Sequence, residues 1–438
     1  MKTVHPQVKV MSVSREVELK LELPTAEAAR LLERSFNRLE GSKGIKQHLV
    51  SVYFDTGKHA LRKQGLTLRI RTGGKHTVQT VKAVDTTSAS IFDRLEWETE
   101  IEGEKLDLKA AARTPIGDVL HGSRAYKLLL PIFKTVVDRT TWRVRQGGSE
   151  IEVALDEGRV SAHGSTQPIA ELELELKRGS PSDLFALASS LDHVKDLKIG
   201  VLSKSERGYV LADGDGPRSF KAEPIALRPN LSAAAAFQII ARACIRHFRL
   251  NEPLLIASRS AEPLHLARVA IRRLRSALSL FEAMVTDQEY KRLKRRLRGV
   301  SHQFGEARNL DVYIAGITAR DADKGGPFAL NPAGQAQAER ECAYERVIKT
   351  LQSKRFRNLC KTSSHGSRPV RGSIRTIWRD KLRVIKASRI LRPTFSSDVS
   401  VSSSSMAVIS NGSHQRSVTE FGLRLRSCDT IASSSRVF

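Results

Sequence analysis

The chain has 438 residues, with 73 Lys/Arg against 47 Asp/Glu and a formal net charge of +26. Residues 1–215 hold 33 basic and 30 acidic residues, which leaves 40 and 17 for residues 216–438. The first half is therefore charged but balanced, and the second is a polycation that needs a polyanionic partner. No run reaches 18 apolar residues and Met1–Ser14 has no apolar leader core, so neither a membrane span nor secretion is expected. Cys244, Cys342, Cys360 and Cys428 are far apart without C-x-x-C spacing. They read as free thiols in a reducing cytoplasm, not as disulfides or a zinc site.

Glu16-Val17-Glu18-Leu19-Lys20 reads as the first strand. Alternation puts Glu16, Glu18 and Lys20 on one face and Val17 and Leu19 on the other. The same device returns at Glu171, Glu173, Glu175 and Lys177. Carboxylates two residues apart on a strand repel, and a divalent cation or a polyanion held by the lysines would relieve that. Between these two stretches, Pro24–Leu39 is expected to be a helix capped by Thr25, with Leu31 and Leu32 facing a core. Strands are expected at His48–Asp55, Leu66–Thr72, His76–Val84 and Arg94–Ile101. Leu106–Leu130 reads as mostly helical, followed by strands at Ile132–Gln146, Glu150–Leu155, Arg159–His163 and Ile169–Lys177. Asp156-Glu157-Gly158 reads as a break between two of these, and Pro181–Leu191 as a helix capped by Ser180 or Ser182. Roughly eight strands thus carry ionic groups of mixed sign on one face. A single sheet with one wet face accommodates this; a closed barrel with an ionic interior does so better, because closure removes the edges. No G-x-x-x-x-G-K-[ST] loop occurs.

The order of E-x-E-x-K, Y-F-D-T, L-R-I-R, V-K, R-x-E-x-E, E-V-A-L-D-E-G and E-L-E-L-E-L-K resembles the CYTH family, the triphosphate tunnel metalloenzymes, over about residues 12–210. The resemblance implies an α+β domain at 12–212 built on an eight-stranded antiparallel β-tunnel. It implies hydrolysis of inorganic triphosphate to pyrophosphate plus phosphate with Mg²⁺ or Mn²⁺. Glu16, Glu18, Glu171 and Glu173 are implied as metal ligands. Lys20, Arg69, Arg71, Lys82, Arg139 and Lys204 are implied as phosphate ligands, with Glu16, Glu18, Lys20 and Lys82 the catalytic set. Glu96, Glu98, Glu152 and Asp156 are implied either to tune metal or water or to hold the arginines. Thiamine triphosphate hydrolysis and adenylate cyclisation remain open as chemistries of the same fold. A non-catalytic polyphosphate- or RNA-binding protein is a third reading, weakened because a pure anion binder gains nothing from clustered glutamates without metal.

Asp213-Gly214-Asp215-Gly216-Pro217 marks a linker, taken as 213–230. Beyond it the periodicity is helical. In His265–Phe281, Leu266, Val269, Ala270, Leu274, Ala277, Leu278 and Phe281 form a core stripe, while His265, Arg268, Arg272 and Arg275 step along another face. In Tyr290–Phe304, Lys294, Arg298 and His302 do the same. H-x-x-R-V-A-x-R-R-L-R-S-A-L followed by E-A-R-N-L-D-V resembles the CHAD family, with Asn309 where its motif has Asp. This implies an all-α bundle, here 231–360, that binds polyphosphate through His265, Arg268, Arg272, Arg275, Lys294, Arg298 and His302. Nucleic acid is the less favoured polyanion, and oligomeric state stays unassigned.

The resemblance covers only the first half of such a bundle. Lys361–Phe438 turns rich in Ser and Arg with little periodicity, and is expected to be an aberrant or disordered tail. Arg416–Phe438 can be encoded by synonymous codons whose neighbouring frame spells F-S-H-R-V-R-I-A-A-K-K-L-R-Y-D-R-K-F-F-T-S-L. That hidden string has the histidine and basic helical stripe that the second half should carry, so a change of reading frame is expected there.

Overall fold

The computed structural model describes residues 11–365, apart from 41–42, 75, 84–90, 122, 215–217, 226, 228–230, 283–287 and 325–331. They belong to one compact unit, Met1–Arg368. The alternating stretches become strands β1 (Ser12–Glu22), β2 (Ile45–Thr56), β3 (Leu66–Gly73), β4 (His76–Ala83), β5 (Ile91–Ile101), β6 (Leu129–Gln146), β7 (Ser149–Ala162) and β8 (Ser165–Arg178), plus a short β9 (Lys198–Ile199). Their order is β5-β4-β3-β2-β6-β7-β8-β1-β9, and β5 also pairs with β1. That last pairing, from Ser12↔Glu98 to Leu19↔Ile91, closes eight antiparallel strands into a barrel.

Both faces of the strands are buried, by different partners. On β1, Leu19 and Leu21 point outward into an apolar cluster with Leu32, Phe36, Val153, Leu172 and Leu184. Glu16, Glu18 and Lys20 point into the lumen and are also buried. The helices α1 (Ala26–Glu40) and α6 (Pro181–Ser190) supply the outer cover here. Each fully buried leucine contributes about 1.5–3 kcal/mol, so the apolar layer lies outside the sheet and frees the inside for charge. On a second side, α2 (Ala60–Lys63) and α4 (Ile116–Val119) cover Leu66, Leu68 and Val81.

Three details differ from the sequence expectations. Leu106–Leu130 forms three short helices, α3 (Leu108–Ala112), α4 and α5 (Ser123–Tyr126), instead of one long one; Pro115, the residue before α4, removes a backbone donor there. β7 runs unbroken through Asp156-Glu157-Gly158, because Gly158 lets it cross β6 at close range: a Cβ there would lie 2.1 Å from the Val136 carbonyl oxygen. Leu31 faces outward at 40% exposure, while Leu32 is fully buried. The caps at Thr25 and Ser180 form as expected.

After the barrel come α7 (Lys204–Ala212), α8 (Ala233–Ser258), α9 (Ala261–Leu280), α10 (Gln288–Lys324), α11 (Pro332–Leu351) and α12 (Lys354–His365). Helices α8 to α12 share one core that includes Phe248, Leu274, Leu278, Phe304, Tyr344 and Leu359. Helix α12 runs on past Cys360 to His365, with Cys360 the last residue placed in the core; the rest of the expected Ser/Arg-rich tail lies outside the described residues.

Candidate active site

The barrel encloses a cavity of about 440 Å³, lined by Glu16, Glu18, Lys20, Tyr53, Arg69, Arg71, Lys82, Arg94, Glu96, Glu98, Arg139, Glu152, Glu173 and Lys204 among others. All six expected phosphate ligands, Lys20, Arg69, Arg71, Lys82, Arg139 and Lys204, line it. They come from β1, β3, β4, β6 and the first residue of α7, so strand closure brings five of them together and the corner after β9 delivers Lys204.

The β1 carboxylates do not face one another unrelieved. Glu16 accepts from Lys82 at 2.8 Å and from Arg94 at 2.7 Å. Burial opposes its ionisation, yet Lys82 and Arg94 outweigh that and hold it well below the usual carboxylate range. Glu18 accepts from Arg94 at 2.5 Å. Burial and the nearby Glu16 charge push its pKa up, against Lys20 and Arg94.

Lys204 reaches Glu171 at 2.5 Å, Asp156 at 2.6 Å and Glu173 at 2.8 Å, on the neighbouring strands β8 and β7. Burial works against its charge, and these three carboxylates reverse that and raise its pKa. Arg139 forks onto Asp156 at 2.6 and 2.7 Å and reaches Glu173 at 2.5 Å. Lys20 pairs with Glu173 and lies 3.5 Å from Glu171. Lys82 also meets Glu96 at 3.0 Å, and Arg71 meets Glu98 at 3.5 Å. Arg71, crowded by Arg69 and then by burial, has its pKa lowered to about 10.

Of the expected metal ligands, Glu171 and Glu173 join Asp156 in a buried trio whose ligand oxygens lie within 4.8 Å of one another. Glu16 and Glu18 lie on β1, each bound to Arg94. The donor set is all carboxylate oxygen, which suits a hard divalent cation such as Mg²⁺ or Mn²⁺. Glu171 Oε2 is buried, accepts no hydrogen bond and has the Arg207 guanidinium 3.5 Å away, so the fit to a divalent ion rests on the all-oxygen chemistry of the trio. Glu171 itself is fully buried behind the cavity wall.

Two members were not assigned a site role in the sequence or were left ambiguous there. Arg94 bridges both β1 glutamates; its signal was the register of its own R-x-E-x-E strand against E-x-E-x-K. Asp156, open in the sequence between tuning metal or water and holding the arginines, holds Arg139 and Lys204 here. The helix that presents Lys204 was also missed, although Ser203 and Glu206 have the spacing of a capping box and form one.

On the helical half, His265, Arg268 and Arg272 of α9 lie near Arg308 of α10. The Nδ1 of His265 and the Nε of Arg268 are buried without hydrogen-bond partners. Burial, then Arg308, Arg268 and Arg272, lower the pKa of His265. Arg275 donates to Ser301 at 3.0 Å. Lys294 is paired with Glu282 at 2.9 Å, and the exposed His302 with Glu306 at 3.4 Å. Arg298 is exposed. The seven expected residues thus divide into a partner-poor stripe on α9 and an acid-paired edge on α10.

Among the described residues no helix is long and apolar enough to cross a membrane. An inorganic triphosphatase of Haemophilus influenzae is 33% identical over 168 residues, 37% of this chain and 46% of that protein. The chain thus matches less than half of that relative's length. An adenylyl cyclase candidate from Hippeastrum, described as having a dominant triphosphatase activity, is 22% identical with a TM-score of 0.32, over 45% of this chain and 96% of that one. The CHAD domain of Ricinus communis is 26% identical with a TM-score of 0.33, over 42% of this chain and 64% of that one. Family models match at residues 14–209 and 239–383. In chain order, then, this protein is a CYTH domain followed by a CHAD domain.

Proposed function

We propose that the barrel hydrolyses inorganic triphosphate with a divalent cation, and that the helical domain binds polyphosphate. The observation that carries the first part is the cavity of about 440 Å³, in which six lysines and arginines from five elements converge beside a buried carboxylate trio. A triphosphate carries about four charges, and phosphoryl transfer is mainly positioning plus charge stabilisation. Lys20, Arg69, Arg71, Lys82, Arg139 and Lys204 hold the phosphate oxygens. Asp156, Glu171 and Glu173, with Glu16 and Glu18 on the neighbouring strand β1, would hold the metal. A bound divalent ion supplies neutralisation of developing charge and a more acidic water. Arg94 favours the ionised form of Glu16 and holds both Glu16 and Glu18 in place by hydrogen bonds. Water then attacks the terminal phosphorus, its P–O–P bond breaks, and pyrophosphate leaves while orthophosphate retains the water oxygen.

Among the described residues Tyr53 is the aromatic ring that lines the cavity, and its hydroxyl accepts from Arg69 at 3.4 Å. A nucleobase or thiazole ring finds little apolar surface there, which favours inorganic triphosphate. The test is phosphate release from triphosphate, ATP and thiamine triphosphate, each with Mg²⁺, Mn²⁺ or EDTA. Fastest release from triphosphate, abolished by EDTA, is expected. Preference for thiamine triphosphate or cyclisation of ATP would replace the substrate, and metal-independent binding without turnover would replace the enzyme by a binding protein.

A further inference from the structure

We propose that Arg246 and Arg249, on the first helix of the CHAD domain, are positioning residues for the triphosphate tunnel. The inference rests on the triphosphatase reading above. Its starting point is the segment that delivers Lys204. β9 pairs with β1 through Leu21↔Ile199 and Glu22↔Lys198, and Gly200 N donates to Lys20 O at 2.9 Å. Ser203 then caps α7, and Lys204 is the first residue of that helix.

Two carbonyls along this segment take their partners from α8. Arg249 Nε donates to Ile199 O at 3.1 Å, and Arg246 donates to Val201 O. Arg246 also pairs with Glu206, the acid that closes the capping box with Ser203. Arg249 also reaches Glu22 at 3.0 Å, two residues beyond Lys20 on β1. From Glu22 the charges alternate inward. Arg207 lies 3.5 Å from Glu22 and 3.5 Å from Glu171. Glu171 in turn holds Lys204 at 2.5 Å and Lys20 at 3.5 Å.

Both guanidinium groups are deeply buried, each residue 4% exposed. Such burial is tolerated only where charge and donors are matched. Here the match includes the carbonyls, the cap and the carboxylate that set where Lys204 and Lys20 stand. Leu250, next to Arg249, packs in the tunnel's own outer apolar cluster with Ile199 and Val201. The helical domain therefore acts as a clamp on the strand-to-helix corner that carries one phosphate ligand and flanks another.

The test uses the full chain and steady-state hydrolysis of tripolyphosphate. Arg249→Met is expected to raise KM about five- to tenfold with kcat little changed, as for coupling through a packed charge network. Glu22→Gln should do the same, and the double variant should be no worse than either, since both act through one chain of contacts. Arg249→Lys should be intermediate, because an ammonium keeps the charge but loses the planar fork. Leu278→Ala, in the helical core away from the tunnel, should lower the melting temperature and leave KM unchanged. An unchanged KM in Arg249→Met, additive effects of the pair, or an equal KM shift in Leu278→Ala would overturn the positioning role. If Arg249→Met does not fold, Arg249→Lys decides by the direction of its KM. If the wild-type protein releases no phosphate, the triphosphatase reading fails by itself, and calorimetric affinity of the wild type and Arg249→Lys for tripolyphosphate decides the clamp.

Discussion

In the tunnel, each lining lysine or arginine of the proposed phosphate set touches a carboxylate; on α9, Arg268 and Arg272 pair with none among the described residues. Both surfaces are proposed to bind phosphate chains, yet they solve the same repulsion in opposite ways. A buried site has no salt to screen its cations, so the protein brings its own anions and fixes them on neighbouring strands. An open stripe leaves neutralisation to solvent counterions, which a polyanion displaces. The tunnel should therefore be intolerant of a single missing charge, and the stripe tolerant but salt-sensitive.

The largest effect expected is on stability. Glu16→Gln leaves Lys82 and Arg94 short of a buried partner and should cost about 3–5 kcal/mol. Glu18→Gln removes a carboxyl whose ionised form burial and Glu16 already disfavour, so its melting temperature should fall far less or rise. Because the folded pKa of Glu16 is depressed, its stabilisation is present above its unfolded value and is lost as pH falls through the folded one; that acid limb should flatten in Glu16→Gln. Equal melting temperatures for the two variants would break the contrast.

Next comes turnover. Lys204→Ala should lower kcat/KM for triphosphate by about 10²–10³, the usual loss for one preorganised donor, with circular dichroism unchanged in shape. Activity within a few-fold of wild type would remove Lys204 from the phosphate set.

The smallest effects belong to the stripe. Arg272→Ala should weaken binding of long-chain polyphosphate only a few-fold and reduce the slope of log affinity against log salt by roughly one. His265 is held low by burial and by Arg308, Arg268 and Arg272, against Glu262. A bound polyanion offsets those arginines, so binding should take up a proton and tighten as pH falls from about 7.5 to 5.5. His265→Asn should flatten that dependence.

The barrel was legible because period-two alternation survives in short windows, and each motif spans one strand. Burial on both faces was only half legible: Glu16 and Leu19 are both buried, and nothing in the pentapeptide says that its polar face is dry. Arg94 escaped because its role depends on the cross-strand pairing Glu16↔Arg94, a register that one strand cannot state. The break at Asp156-Glu157-Gly158 does not occur because glycine also serves close backbone approach, which only the neighbouring Val136 reveals. On the helices, periodicity located α9 and the Tyr290–Phe304 part of α10, but acids such as Glu282 and Glu306 sit outside the stripes and pair with Lys294 and His302 all the same. The CHAD match reaches residue 383, so a change of frame, if the gene carries one, starts beyond that point. Sequencing the gene should find a frame free of stops that encodes the hidden basic helix opposite Arg416–Phe438; stops throughout that frame would dismiss it.

Barrel closure has a kinetic consequence. β1 finishes at Glu22, yet its partner β8 begins only at Ser165, and Lys20 meets Glu173 at a sequence separation of 153. At a synthesis rate of about 5–20 residues per second, the first strand waits on the order of ten seconds for its last neighbour. Until then β1, apolar on one side and ionic on the other, keeps an unpaired edge even after β5 has emerged to cover the other. Such late, non-local pairing is slow even after release. The seam between first and last strands is thus the step most open to mispairing, and the one where a chaperone would act.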